Sequence, residues 1–337
     1  ARRGQVYTGI YKDGKALILF PSAKKGEFQL PQNVEEIKDK AFINSSVSAV
    51  KLSEEPALRY IGVSAFENSA ITSFEIPANV VTLNSATFKN AAKLSKIVFN
   101  EGLTYIGASA FEGCATLTAI DLPETLVSIA NGAFKNAGLK SVNTGDGLLK
   151  VASEAFAGNK NLTDLYLGKN VETLGAGVFK DCVALVAVNL PASLKNFSAL
   201  TFDGCTSLVK ITVDAENKAF KAVDASIYSA DGATLVIAGN KNTTTLAVAN
   251  GTTTIAANAF DLAKNVATIT FPASLVTVKG NALDVTNWYA SQAGAIYAGK
   301  VLYKVKGNVA SLVVEDGTTT IADGAVKNAT VKAVTLP

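Results

Sequence analysis

The sequence contains no histidine. That removes the usual general base and the commonest metal ligand together. Arginine occurs only at Arg2, Arg3 and Arg59, and the other basic residues are scattered lysines. Nucleic-acid binding draws on a basic stripe with arginine and exposed aromatics, so no nucleic-acid partner is expected despite a net charge of +3. Long hydrophobic runs are missing as well. The longest, such as residues 16–20, are strand-sized, against the roughly 18 apolar residues of a membrane span, so no membrane insertion is expected. Charge is sparse at 18% against 48% hydrophobic residues, which excludes a disordered tail and provides for a large core. The chain opens at Ala1 instead of methionine and breaks off in mid-pattern at Leu336-Pro337. Both features are read as marks of a processed piece with a truncated C-terminus.

What is present is a repeat. A small residue followed by phenylalanine recurs at Phe42, Phe66, Phe88, Phe111, Phe134, Phe156, Phe179 and Phe202, at intervals of 24, 22, 23, 23, 22, 23 and 23. It resumes at Phe260 and, weaker, at Leu283 and Val326. Around each anchor runs L-x-x-I-x-L-P-x-x-L-x-x-I-x-x-x-A-F-x-x-C-x-x-L, clearest in the coil Leu117, Ile120, Leu122, Pro123, Leu126, Ile129, Ala133 and Phe134. Ile120 and Leu122, two apart, share one face of a strand. Pro123 cannot donate to a ladder and ends that strand. Residues 127–129 extend again, and residues 131–136 are expected to form a helical turn that drops Phe134 inward. One such coil cannot bury its own apolar edge, whereas coils stacked at the strand spacing bury all of them in one column.

Two stretches break the period, 58 residues from Phe202 to Phe260 and 43 from Leu283 to Val326. Their extra residues resemble each other and the N-terminus: Tyr11-Lys12-Asp13-Gly14, Tyr228-Ser229-Ala230-Asp231-Gly232 and Tyr297-Ala298-Gly299, each followed by an apolar strand. Asp-Gly between alternating runs predicts a hairpin. The expected architecture is therefore a single β-rich α/β solenoid over residues 1–337. It is a right-handed coil stack with short helical turns and three β-hairpin insertions, at about residues 5–31, 223–248 and 294–314.

The string I-P/L-P…V-x-x-I-G-x-x-A-F-x-x-C-x-x-L resembles the BspA-like (treponemal-type) leucine-rich repeat. It is visible as Leu122-Pro123…Ile129…Ala133-Phe134 and as Tyr105-Ile106-Gly107-Ala108-Ser109-Ala110-Phe111-Glu112-Gly113-Cys114. The match runs from about Tyr7 to Pro337, departing in the last coils, where Leu283 and Val326 replace phenylalanine. The resemblance implies an extracellular or cell-surface bacterial protein that adheres to host or bacterial surface macromolecules. It says nothing about which ligand, because the motif encodes packing.

Catalytic chemistry is not expected. Cys114, Cys182 and Cys205 each sit three residues after an anchor, where other coils carry Ser45, Ser69, Ala91, Ala137, Asn159 and Ala263. This reads as a small buried slot. Cys182 and Cys205 lie on neighbouring coils, which leaves a disulfide open, whereas Cys114 is too far away to join either. Without histidine or a C-x-x-C pair there is no metal or Cys-His site. No phosphate-cradling loop appears, Gly145-Asp146-Gly147 being isolated turn glycines, and no cofactor is implied. Asp121 and Asp164 are two coils apart on an open, wet flank, a poor setting for paired-carboxylate chemistry. Sequons at Asn44, Asn161, Asn196, Asn242, Asn250 and Asn328 read as chance in an Asn/Thr-rich chain.

The outward positions of the main strands remain. One column reads Lys51, Glu75, Val98, Asp121, Asn143, Tyr166, Asn189 and Thr212, and its neighbour Ala49, Ser73, Lys96, Ala119, Ser141, Asp164, Ala187 and Lys210. Tyr166 is the only aromatic in either. With Asp164, Asn143, Asn189, Asp121 and Lys96 it makes the candidate ligand-binding set, for a host or bacterial surface protein or a glycan. Trp288-Tyr289 is a second candidate, with Trp288 expected to fill the irregular junction at the third hairpin. A carbohydrate- or cell-wall-binding module and a structural spacer are the alternatives.

Overall fold

The computed structural model describes residues 9–327 and 329–337. Arg2, Arg3, Tyr7, the start of the first hairpin module and the sequon at Asn328 lie outside them. The chain forms two compact units, one running to Leu185 and one from Val186 to Pro337.

In the first unit each coil gives one longer strand and one of two residues. Gly26–Gln29, Val47–Lys51, Ser73–Ile76 and Lys96–Phe99 form one parallel sheet, and Ala119–Asp121, Ser141–Asn143 and Asp164–Tyr166 form another. The short strands Thr82–Leu83, Tyr105–Ile106, Ser128–Ile129, Lys150–Val151 and Thr173–Leu174 make a five-stranded parallel sheet. Because each coil repeats its neighbour, the register is residue-for-residue beyond the first main-strand pair, where it shifts by one between Gly26 and Glu27. Between the sheets runs the phenylalanine column. From Phe42 to Phe179 all seven anchor rings are fully buried, and successive centroids stand 4.8–5.8 Å apart with planes within 5–8°. That spacing follows from the distance between strands, so strand pairing sets the ring stack.

The turn before each anchor corrects the sequence expectation. Residues 131–136 are not a helical turn. They form tight turns with Gly132 (φ 61) and Asn136 (φ 54) in the left-handed region, which a right-handed helix cannot contain. The pair recurs four residues apart as Ser64/Asn68, Ala86/Asn90, Ser109/Gly113 and Glu154/Gly158. Alternate amides of the turn donate to the next coil, as Phe134 does to Ala155 at 2.7 Å and Asn136 to Ala157 at 2.8 Å, while those between them donate back three residues, as Lys135 does to Gly132 at 3.0 Å. Helix is confined to Asn287–Ala290 and a 3-10 turn at Ala199–Phe202 among the described residues. The class is thus a β-solenoid rather than α/β.

The slot three residues past the anchor is buried in every coil that carries it, from Ser45 through Ala263. Cys114 donates its Sγ–H to the Phe88 carbonyl at 3.2 Å and Cys182 to that of Phe156 at 3.3 Å. Ser45 and Ser69 are 2% and 4% exposed, yet their hydroxyls have no partner. A buried hydroxyl without a partner carries a desolvation cost. Ser69→Ala is therefore expected to stabilise the protein by about 1 kcal/mol, read as a higher denaturant midpoint at unchanged slope. A lower midpoint would contradict the assignment.

The hairpins have a common placement. Ile10–Lys12 pairs antiparallel with Ala16–Leu19, and that second strand pairs parallel with Glu36–Ile37. In the second unit Ser226–Ser229 and Thr234–Ile237 do the same ahead of Thr254–Ile255, as do Gly294–Ala298 and Val301–Lys306 ahead of Thr320–Ile321. Each hairpin's second strand takes the place of a short strand, so the extra residues enter without breaking the parallel ladder. Phe220–Val223 adds a third antiparallel strand at the second hairpin. The second unit also holds the parallel pairs Ala187–Leu190 with Lys210–Val213, Thr245–Ala247 with Thr268–Thr270, and Ser311–Val313 with Ala333–Thr335. Trp288 is half-buried at the third hairpin, edge-on to Phe271 at 5.4 Å, and so fills the junction. Val334 and Leu336, in register with the buried Leu312 and Val314, are 52% and 65% exposed.

Candidate functional site

The outward columns are built by strand register. In the first unit Asp121, Asn143 and Tyr166 stand side by side on three adjacent strands, with Ala119, Ser141 and Asp164 in the neighbouring column. All but Ser141 are exposed, Tyr166 to 49%. Between the columns Ile120 and Val142 face the core at 5% and 1% exposure. The period of two along a strand therefore delivers both faces.

Polar bonds tie the columns together. Asn143 Nδ2 donates to Asp121 Oδ1 at 2.6 Å, and Ser141 Oγ to Asp164 Oδ2 at 3.3 Å. The Tyr166 hydroxyl turns away from both to Asp146 Oδ1 at 2.8 Å. Asp146 also accepts the Lys169 amide at 3.1 Å and pairs with the Lys169 ammonium at 2.8 Å. These donors, the Lys169 ammonium foremost, hold its carboxyl down at about 2. The carboxylate in turn pushes the Tyr166 phenol and the Lys169 ammonium up from their ordinary values. Tyr166 is thus a fixed neutral ring, braced from behind, with its face open to solvent.

Asp146, Glu124 and Glu101 are what sequence reasoning missed. Each occupies the loop just past a main strand, and each accepts from the backbone of the following coil. Glu101 takes the amides of Glu124 and Thr125, both at 3.1 Å, and Glu124 takes that of Asp146 at 2.9 Å. The signal was an acidic residue at one loop position in three successive coils, which the focus on strand residues passed over.

The six candidate residues are not one cluster. Asp121, Asn143, Asp164 and Tyr166 are together. Lys96 is in register with Ser73 and lines a separate concavity of about 730 Å³ with Lys51, Glu75, Pro56 and Asn100. Asn189 belongs to the second unit, where the Thr212 hydroxyl donates to it at 2.8 Å.

The cysteines offer no reactive group. All three are buried thiols, so the bridge left open between Cys182 and Cys205 is not formed. Burial pushes Cys114 and Cys182 from the ordinary 9.0 up to about 12. The folded state therefore favours the neutral thiol. That contribution is complete below pH 9, the unfolded value, and is lost as pH rises towards 12. An alkylating reagent at neutral pH is expected to leave both untouched in the native protein and to modify both after unfolding. Rapid native labelling would contradict their placement.

The repeat also carries over to known proteins. A model of the BspA type leucine rich repeat region, in six copies, matches residues 19–138, 104–224 and 238–337. Among solved structures, a leucine-rich repeat protein from Eubacterium ventriosum superposes with a TM-score of 0.54 at 20% identity, over 74% of this chain and 62% of that one. The chain thus spans less than two thirds of that protein's length. A leucine rich cell surface protein from Faecalibacterium prausnitzii gives 0.56 at 17% identity, over 97% and 92%. The pneumococcal vaccine antigen PcpA gives 0.51 at 18%, over 91% and 71%. At these identities the likeness is one of fold. No curated protein matches the chain.

Proposed function

Because the chain belongs to the BspA-type leucine-rich repeat family, we propose that it is a binding module displayed outside a bacterial cell, adhering to a host or bacterial surface protein. The observation that carries this reading is the outward face of the first unit. There an open, braced Tyr166 is flanked by the hydrogen-bonding groups of Asp121, Asn143 and Asp164 on a rigid parallel sheet. Rigid aromatics with polar neighbours are the usual anchors of protein interfaces, because little entropy is lost on docking. A solenoid sheet offers such groups over a broad, pre-formed surface. Location at the cell surface is supported by the description of the Faecalibacterium prausnitzii neighbour. It is consistent with the lack, among the described residues, of any helix long and apolar enough to cross a membrane.

The test is a binding screen of the purified chain against extracellular matrix proteins, plasma proteins, bacterial surface proteins and a glycan array, beside the Tyr166→Ala/Asp164→Ala double variant. A protein ligand whose affinity falls about thirtyfold in the variant, the loss of one hot spot worth about 2 kcal/mol, is the expected result. Tyr166→Phe, which keeps the ring, should bind more nearly like the parent. A ligand bound equally by all three would remove Tyr166 from the site. A glycan-only response would replace the protein partner with a carbohydrate.

A further inference from the structure

The sequence has two Asn-Gly pairs, Asn131-Gly132 and Asn250-Gly251, and the fold treats them differently. Deamidation at such a pair begins with the glycine amide nitrogen attacking the asparagine side chain, so its rate depends on whether that amide is free to move. Gly132 is not. Its N–H donates to the Ser153 carbonyl of the next coil at 3.1 Å and its own carbonyl accepts from Lys135 at 3.0 Å, which locks it into the stack of tight turns.

Asn250 and Gly251 occupy the tip of an exposed turn between Thr245–Ala247 and Thr254–Ile255. The Thr252 amide donates back to the Ala249 carbonyl at 3.2 Å, and Gly251 has φ 88, the arrangement of a type II turn with glycine third. In that turn the central amide points outward. The Gly251 N–H makes no hydrogen bond among the described residues, and a Cβ built there would meet nothing within 4 Å. The Asn250 side chain is likewise exposed.

We infer that Asn250 is a site of spontaneous deamidation, and that the fold protects Asn131 from the same reaction. The Gly251 nitrogen forms a bond to Cγ of Asn250, the Cγ–Nδ2 bond breaks, and ammonia leaves with the proton from the attacking amide. The resulting five-membered succinimide is opened by water at either carbonyl, giving aspartate or isoaspartate. The product gains one negative charge, lowering the net charge of +3 by one. Isoaspartate also adds a methylene to a turn that is tied to the Tyr228 hydroxyl through the Ala249 amide at 3.1 Å. The change falls on an exposed face of the second unit and is independent of the Tyr166 patch.

The test is peptide mass spectrometry on the native protein after prolonged incubation in mildly alkaline buffer, with a denatured sample alongside. The peptide carrying Asn250 is expected to gain one mass unit and split into aspartate and isoaspartate forms. The peptide carrying Asn131 should stay unchanged in the native sample and convert in the denatured one, and Asn250→Gln should abolish the new charge variant. An unchanged Asn250 peptide, or equal conversion of both asparagines in the native protein, would overturn the inference.

Discussion

Phe134→Ala is expected to destabilise the first unit by about 4 kcal/mol, from the cost of emptying a buried phenylalanine site. The ring is fully buried, stacked between Phe111 at 5.0 Å and Phe156 at 5.3 Å with planes within 8°. Truncation leaves a cavity that the neighbours cannot fill, because the strand ladders on both sides fix the coil spacing. It also removes two ring pairs, each worth about 1 kcal/mol beyond the buried area. The defect lies inside a structure whose stability is a sum of coil and nearest-neighbour terms, so unfolding should lose cooperativity as well as midpoint. Tyr105→Ala, at a position 39% exposed on the short-strand sheet, should cost under about 0.5 kcal/mol. Equilibrium denaturation of the two variants checks both, and equal midpoints would contradict the ring column as the core.

Asn159→Ala should cost about 3 kcal/mol for a different reason, the loss of buried polar partners. Most coils place two residues between the slot and the next buried apolar residue, whose amide donates to the slot carbonyl, as Leu117 does to Cys114 at 2.9 Å. The coil at Ala137 is one residue shorter, so Leu139 cannot do this. Asn159 Oδ1, in the next coil, accepts the Leu139 amide at 3.0 Å instead. Its Nδ2 donates to the carbonyls of Phe134 at 2.9 Å and Phe156 at 2.7 Å. Alanine strands the Leu139 amide in a fully buried site. Asn159→Cys keeps a donor like those of Cys114 and Cys182 but supplies no acceptor, and should fall between parent and alanine. Thermal melts order the three, and an alanine variant as stable as the parent would dissolve the argument.

The repeat and the outward columns were legible because both rest on fixed spacings. Phenylalanine every 22–24 residues must face one core, and residues two apart on a strand must share a face. The Tyr166 column followed directly. The turns were misread because Ala-Phe-x-x-small imitates one helical turn. The contrary signal was present two residues past the anchor, where Asn44, Asn68, Asn90, Gly113, Asn136, Gly158 and Asp181 are residue types that tolerate a left-handed backbone. Asp146 was hidden because nothing local in Gly145-Asp146-Gly147 says that its partner is a tyrosine on the next strand. Asn159 was seen only as another slot residue, since its role depends on a deletion in the coil before it.

The outward face of the first unit's main strands, proposed as the recognition surface, can be probed chemically. The buried native thiols make a direct measurement practicable, because an introduced cysteine is the only one expected to react. Asn143→Cys places a probe on the main-strand face, and Lys150→Cys one on the exposed side of the short-strand sheet. With a captured partner in excess, alkylation at position 143 is expected to slow sharply while position 150 reacts as in the free protein. Protection at 150 with free reaction at 143 would place the partner on the other sheet and contradict it.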